Sequence, residues 1–437
     1  MLFKSKLIIK IMIENLLHYI WKTRNFDVIN VKTTDNQSVK IFNSGLWNRD
    51  AGPDFKQAII EIGGVTWAGD VEIHVRSSDW YRHNHDKDEK YNSVILHVVY
   101  EHDKDVLLKG SESIPTLELK KYIAEETFNS YKRLADSDMR IPCKFGVKDI
   151  PKEKFEEIML ATSIERLDRK SQAVFEELRG CGYDWEEVSF RRMARNFGFR
   201  TNSTAFELLA KSVEYKQIAK HTTSKLQVYA IIFGQAGLLD DEIEGDTYYE
   251  ALQYEYNYLK YKYKWIAIDK KIWNKLRLRP ANFHCIRLAQ FCELLLVPNL
   301  IQNIFDDKFS IEDLIPQELE PHEYWKKHYE FAKESKSHKN NIGETAVNLL
   351  YINTIIPIKY SFGIYVGKPA VTERAVLFQR GLQFEANHIT RKYKEAGFLC
   401  RSAADSQAIM EISEKYCVSR KCACCPIGQQ IIKKPPV

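Results

Sequence analysis

Residues 52–75 read GPDFKQAIIEIGGVTWAGDVEIHV, and this stretch decides the fold of the N-terminal part of the chain. Two β-rich runs, 58–62 and 67–75, flank Gly63-Gly64, a pair that enters the positive-φ turn of a hairpin without steric cost. Period two then puts Asp70, Glu72 and His74 on one face of the second strand and Val71, Ile73 and Val75 on the other. Acids and imidazoles at alternate positions of an apolar strand are paired or metal-bound far more often than idle. Asp54, at the start of the first strand, joins that face only if the turn holds an odd number of residues or the strand pair carries a bulge. A plain two-residue turn points it away.

Working outward, residues 13–22 (IENLLHYIWK) space Leu16, Leu17, Ile20 and Trp21 as one face of a helix that also carries Glu14. Residues 28–32 and 38–43 read as strands about an Asp35-Asn36 turn. Residues 93–100 (SVILHVVY) are apolar on both faces apart from His97, as expected of an interior strand. The predicted fold is α/β (α+β): an N-terminal domain with a mixed twisted sheet over 12–148, followed by a mainly α-helical region. From Pro151 the period changes to 3.6, with helices expected over 152–179, 186–197, 203–212, 224–237, 247–263, 281–296, 345–352, 375–394 and 403–417. We divide this part into a helical domain, 149–330, and a helical C-terminal region with a cysteine cluster, 331–437.

The 437 residues are 44% hydrophobic, ordinary for a globular protein. Their 64 basic and 59 acidic residues leave a net charge of +5, which permits nucleic acid as a partner without indicating it. No apolar run approaches the roughly 18 residues of a membrane span, so no membrane partner is expected, and protein partners are unspecified. The start, MLFKSKLIIKIMI, could pass for a signal peptide, but Lys10 breaks its apolar run and no small-residue cleavage site follows. We read the protein as cytoplasmic, with Met12 as an alternative start. Nine cysteines, an odd number with five beyond residue 399, point to a local cluster and not a disulfide framework.

Four groups carry candidate chemistry. Asp54 and Glu72, if they converge, suit Mg²⁺ or Mn²⁺, since hard cations prefer oxygen ligands. His83-x-His85-x2-Asp88 would align two imidazoles on an extended segment and bind zinc or another transition metal with Asp88, although a solvated loop explains the same polar letters. Buried His97 is equally a core histidine. Cys417-x4-Cys422-x2-Cys425 is a metal-knuckle pattern for Zn²⁺ or an Fe–S centre. Cys424, Cys400 or a distant His would supply a fourth ligand, and reduced buried thiols are the alternative. Arg191, Arg192, Arg195 and Arg200, interleaved with phenylalanines in FRRMARNFGFR, suit phosphate contact and base stacking, or the charged outer face of a helix.

The order of helix Glu14, Pro53-Asp54 and Glu72-x-His74 resembles the PD-(D/E)xK nuclease superfamily, with His74 where that superfamily has Lys. The resemblance implies that Asp54 and Glu72 hold the metal, Glu14 supports it, and His74 orients or deprotonates the attacking water. Some of those nucleases carry a C-terminal iron–sulfur staple, with a spacing different from the one here. Over nearly the whole chain the sequence also resembles a bacterial family catalogued as a domain of unknown function, DUF2851. The resemblance is carried by AGPDFKQAIIEI, by GDVEIHVRSSDWYRHNHDKDEKYNSVILHVVYEHD, by FGQAGLL at 233–239, by RPANFHCIRLAQ at 279–290 and by the cysteine-rich ending. It implies a shared architecture and no particular activity.

The leading expectation is a metal-dependent nuclease acting on DNA or RNA. The alternatives are a non-catalytic scaffold and a metal hydrolase of another substrate centred on His74, His83, His85 and Asp88. The nuclease needs Asp54 and Glu72 within shared-metal reach, the hydrolase needs the histidines to converge, and the scaffold needs neither.

Overall fold

The computed structural model describes residues 2–48, 50–109, 113–137, 139–275, 278–316 and 319–433. They fall into two compact units in place of three consecutive segments. One comprises Met1–Thr162, Asn387–Leu399 and Ile409–Val437; the other comprises Ser163–Ala386 and Cys400–Ala408. The expected mixed sheet lies in the first, and the mainly helical region follows it in sequence. Among the described residues no helix is long and apolar enough to cross a membrane.

The first unit begins with α1 (Leu2–Thr23), whose Leu16, Leu17, Ile20 and Trp21 are all buried. The sheet contains β1 (Val39–Asn43), β2 (Leu46–Trp47), β3 (Phe55–Ile62), β4 (Val65–Arg76), β5 (Val94–Glu101) and β6 (Thr116–Glu118), in the order β1-β3-β4-β5-β6 with β2 beside β3. β1, β3 and β4 pair antiparallel, whereas β4, β5 and β6 pair parallel. A parallel pair cannot be closed by a tight turn. The chain therefore crosses from β4 to β5 through α2 (Asp79–Arg82) and the 3₁₀ turns His85–Lys87 and Glu89–Tyr91, and this crossover carries His83 and His85. Residues 28–32 form no strand: Asn30 sits at φ 59°, which breaks the extended run, and only Lys32 bridges to Ser38.

The Gly63-Gly64 turn has the predicted two residues, both at positive φ (60° and 86°), with Ile62 opposite Val65. A regular hairpin would then place Asp54 across from Ile73, on the wrong face. The register instead shifts between Ala58↔Gly69 and Phe55↔Val71. Gln57 takes the extra position at φ 59°, and its N–H is held by the Asp70 carboxylate at 3.0 Å. This bulge advances the strand by one residue and turns Asp54 to the face of Glu72 and His74.

After β6 come α3 (Glu125–Ala135), the 3₁₀ turn Pro142–Phe145 and α4 (Lys152–Gly180). The second unit packs α5 (Trp185–Phe197), α6 (Ser203–Lys211), α7 (Tyr215–Ile218), α8 (Lys225–Gln235), α9 (Thr247–Tyr263), α10 (His284–Leu295), α11 (Leu300–Phe305), α12 (Glu344–Leu350), α13 (Ile356–Tyr365) and α14 (Pro369–Gly381). They share an aromatic-rich core that includes Phe190, Phe206, Phe233, Phe291 and Trp325. The helix expected over 375–394 is two helices. α14 stops at Gly381, and α15 (His388–Glu395) starts afresh from a capping box between Asn387 and Thr390. The last expected helix is α16 (Ala403–Ile412), prolonged by a π-helical turn over Ser413–Cys417, and α17 (Pro426–Lys433) follows the cysteines.

Candidate metal centre

The bulge brings Asp54 and Glu72 into reciprocal contact. The Asp54 N–H donates to Glu72 Oε2 at 3.1 Å, and Asp54 Oδ2 accepts the Ile73 N–H at 3.0 Å. The same Asp54 oxygen lies 3.0 Å from His18 Nε2 of α1. Glu14, one helical turn before His18, therefore faces the same cluster. His18 was not among the residues expected at the site; the Glu14-x3-His18 spacing on an otherwise apolar helix face was the available signal.

Glu72 Oε1 stands 3.5 Å from His74 Nε2 and 3.3 Å from His85 Nε2, and His74 Nε2 stands 3.1 Å from His83 Nδ1. Among the described residues His74, His83 and His85 are the one set that brings three ligand atoms within 4.8 Å of one another. Sequence reasoning placed His83 and His85 on an extended segment, and the structure corrects that. His83 ends α2, Asn84 adopts the left-handed conformation (φ 60°), and His85 opens a 3₁₀ turn. The sharp reversal at Asn84 still swings both rings toward His74. Asp88 is used otherwise, capping the turn Glu89–Tyr91 by accepting the Lys90 N–H at 3.0 Å.

The crossover is anchored at both ends. Asp103 accepts from Ser77 Oγ (3.0 Å) and the Ser78 N–H (2.8 Å), which fixes the start of α2. Tyr91 stacks on His85 with ring centroids 3.8 Å apart, and Trp80 packs edge-on to the same ring. His97 lies behind His74, its Nε2 2.9 Å from His74 Nδ1. With the His74 Nδ1 proton given to His97, the His74 Nε2 lone pair is directed at His83 and Glu72, the outer-shell arrangement that orients a metal-ligating imidazole.

Burial governs the charge state of these groups. It holds His74 well below the usual imidazole range, with the surrounding imidazoles adding to the effect, and it lowers His83 and His85 as well. All three rings are therefore neutral near pH 7, as metal ligation requires. Burial and the neighbouring Asp54 carboxylate push Glu72 up to about 9, and burial takes Glu14 to about 7. Burial lowers His18, but its bond to Asp54 together with the charges of Asp54, Glu14 and Glu72 reverses this, and the net shift is upward. His18 compensates these crowded carboxylates only in part, since Glu14 and Glu72 remain shifted upward, and a divalent cation would supply further positive charge.

The remaining expected residues lie elsewhere. Arg191, Arg192 and Arg195 are ion-paired with Glu187 (2.6 Å), Glu177 (2.8 Å) and Glu207 (3.4 Å), and Arg200 is exposed. Cys417, Cys422 and Cys425 belong to the same unit as the sheet. A shallow depression lined by His83, Asn84, Lys87, Asp88, Glu89 and Lys109 opens beside the imidazoles.

The fold and site thus define a protein with an imidazole–carboxylate cluster of metal-ligating donor types on a mixed sheet, buried at Glu72 and His74 and open to solvent at His83. The chain belongs to the family described as protein of unknown function (DUF2851), which matches residues 14–388 and so takes in every residue of the cluster from Glu14 to His97. No curated protein and no solved structure matches it.

Proposed function

We propose that the first unit is a divalent-metal hydrolase in which Glu72, His74, His83 and His85 hold the ion and a phosphodiester of DNA or RNA is the substrate. The observation that carries this reading is the convergence of His74, His83 and His85, whose ligand atoms all lie within 4.8 Å of one another, with Glu72 Oε1 3.5 Å from His74 and 3.3 Å from His85. Imidazole and carboxylate donors at such spacing can close on one ion. Mixed imidazole and carboxylate donors favour Zn²⁺ or Mn²⁺ over Mg²⁺. Such an ion, when bound, acidifies water and polarises a phosphoryl oxygen.

The protein's own groups supply the rest. His74 has both ring nitrogens engaged, by His97 and by His83 and Glu72, so it serves as a ligand and not as the base. Glu14, with its pKa near 7, is suited to take a proton from an attacking water at neutral pH, and Asp54, steadied by His18, lies beside it. Lys87 and Lys109 line the adjoining depression and favour an anionic backbone there. Nine free thiols suit a reducing, cytoplasmic setting.

The test is cleavage of single- and double-stranded nucleic acid with Mn²⁺ or Zn²⁺, together with metal content, for wild type, His83→Ala and Glu14→Gln. His83→Ala is expected to lose cleavage together with one metal equivalent relative to wild type, the ion held at the imidazoles. Glu14→Gln is expected to keep the metal while cleavage falls about 10²–10⁴-fold, the span of general-base catalysis. Wild type that takes up no metal refutes the centre. Wild type that binds metal but cleaves no nucleic acid refutes the phosphodiester and leaves a hydrolase of another substrate.

A further inference from the structure

The cysteines acquire a member that local spacing could not supply. Cys143 lies in the 3₁₀ turn Pro142–Phe145 and is buried. Gly146 closes that turn, and a Cβ there would stand 3.2 Å from Ile431, so the turn rests on α17, the helix that follows Cys425 directly. Arg420 donates to the Ser137 carbonyl at 2.8 Å and ties the cysteine loop to the segment leading into Cys143. Burial raises the Cys143 thiol, and Cys425, Cys417 and Cys422 stand near enough to add to that shift.

The loop itself is built around sulfur. The Cys425 N–H bonds the Cys422 carbonyl at 3.2 Å. Gly428 comes so close that a Cβ would lie 2.1 Å from the same oxygen. This tight fold turns the backbone N–H groups of Ile427 and Gly428 toward the Cys425 sulfur. Thiols that merely fill a core need no such donors, whereas thiolates do. A cation held by four thiolates replaces their protons, which leave to solvent.

We propose that Cys143, Cys417, Cys422 and Cys425 form a four-thiolate metal centre, occupied by Zn²⁺ or a 4Fe–4S cluster. It joins the end of the chain to the 137–146 segment and closes a unit assembled from three separate stretches of sequence. Cys400 belongs to the other unit, and Cys424 lies inside the Cys422–Cys425 turn, outside the four. The sulfurs are spread more widely than the His74, His83 and His85 nitrogens, the one trio within 4.8 Å among the described residues. A single Zn²⁺ would draw them inward, whereas a cluster bridges a wider set.

The full-length protein, purified without oxygen, is assayed for zinc, iron and sulfide and for visible charge-transfer absorption. All measurements use a His83→Ala/His85→Ala background, so that metal at the imidazoles does not contribute and the two sites fail separately. About one zinc per chain, or about four irons with matching sulfide and visible colour, is expected, lost at least tenfold in Cys143→Ser and kept in Cys424→Ser. Protein with neither metal, or metal that survives Cys143→Ser, overturns the proposal. If Cys143→Ser does not fold, alkylation of the unsubstituted cysteines decides. A chelator should expose Cys143, Cys417, Cys422 and Cys425 to labelling together, and a Cys143 that responds differently from the other three refutes the set.

Discussion

Metal uptake at the Glu72 centre should release one proton per ion in mildly alkaline solution, and Glu72 should be its source. Without metal the Glu72 carboxyl titrates at about 9, so at pH 7 it is almost wholly protonated, while burial has already lowered His74, His83 and His85. Binding must therefore displace the Glu72 proton. Two pH units amount to about 2.7 kcal/mol, or a hundredfold in apparent affinity between pH 7 and 9. Glu14 titrates near 7 and is largely ionised above about pH 7.5, so the slope between there and 9 belongs to Glu72. Calorimetric titration with Mn²⁺ or Zn²⁺ in two buffers of different ionisation heat reads the proton count directly. The apparent dissociation constant should fall tenfold per pH unit and level off above 9. Glu72→Gln should bind more weakly with no slope. A wild-type affinity independent of pH across this window, or a slope that survives in Glu72→Gln, would refute the placement of the carboxylate among the ligands. The metal-free protein should show the opposite trend in stability. Its native state holds a proton that the unfolded state releases at about 4.5, so stability falls as pH rises through this range.

Three further outcomes concern the second unit. His284 is buried against Trp273, and burial lowers it to about 4. Its folded pKa lies below the unfolded value, so its contribution is complete above about 6.5 and lost on acidification to 4, about 3 kcal/mol in all. Urea unfolding at both ends of that window should show a smaller acid loss in His284→Phe, and an equal loss in both proteins contradicts the assignment. A Cβ on Gly234 would stand 2.1 Å from the ring of Tyr256, whose hydroxyl is held by Gln235 at 3.2 Å. Overpacking of about 1–3 kcal/mol or more should outweigh the roughly 1 kcal/mol of helix propensity gained by Gly234→Ala, and an unchanged or higher Tm would show that the ring can retreat. The Asp184 carboxylate caps α5 by accepting the N–H groups of Glu186 and Glu187, both at 3.0 Å. Asp184→Ala should lower stability by about 1 kcal/mol in the same urea titration.

What could be read from sequence alone is whatever depends on neighbouring residues along one backbone. Alternation in 67–75 put Glu72 and His74 on one face, Gly63-Gly64 marked the hairpin, and the change of period near Pro151 marked the helices, because side-chain direction in a strand or helix repeats with the local geometry. Tertiary structure decided which faces meet. Asp54 reaches Glu72 through a bulge at Gln57, a residue type that does not announce a positive φ. His83 and His85 converge through the left-handed Asn84, where an extended reading reached the right rings by the wrong path. His18's place beside Asp54, and the contact of His97 with His74, appear only once a helix and a parallel strand close around β4. Cys143 joins cysteines more than 270 residues away because two short turns pack on the same helix. Periodicity is a property of one segment, whereas a ligand set is a property of register and chain closure, which no single segment encodes.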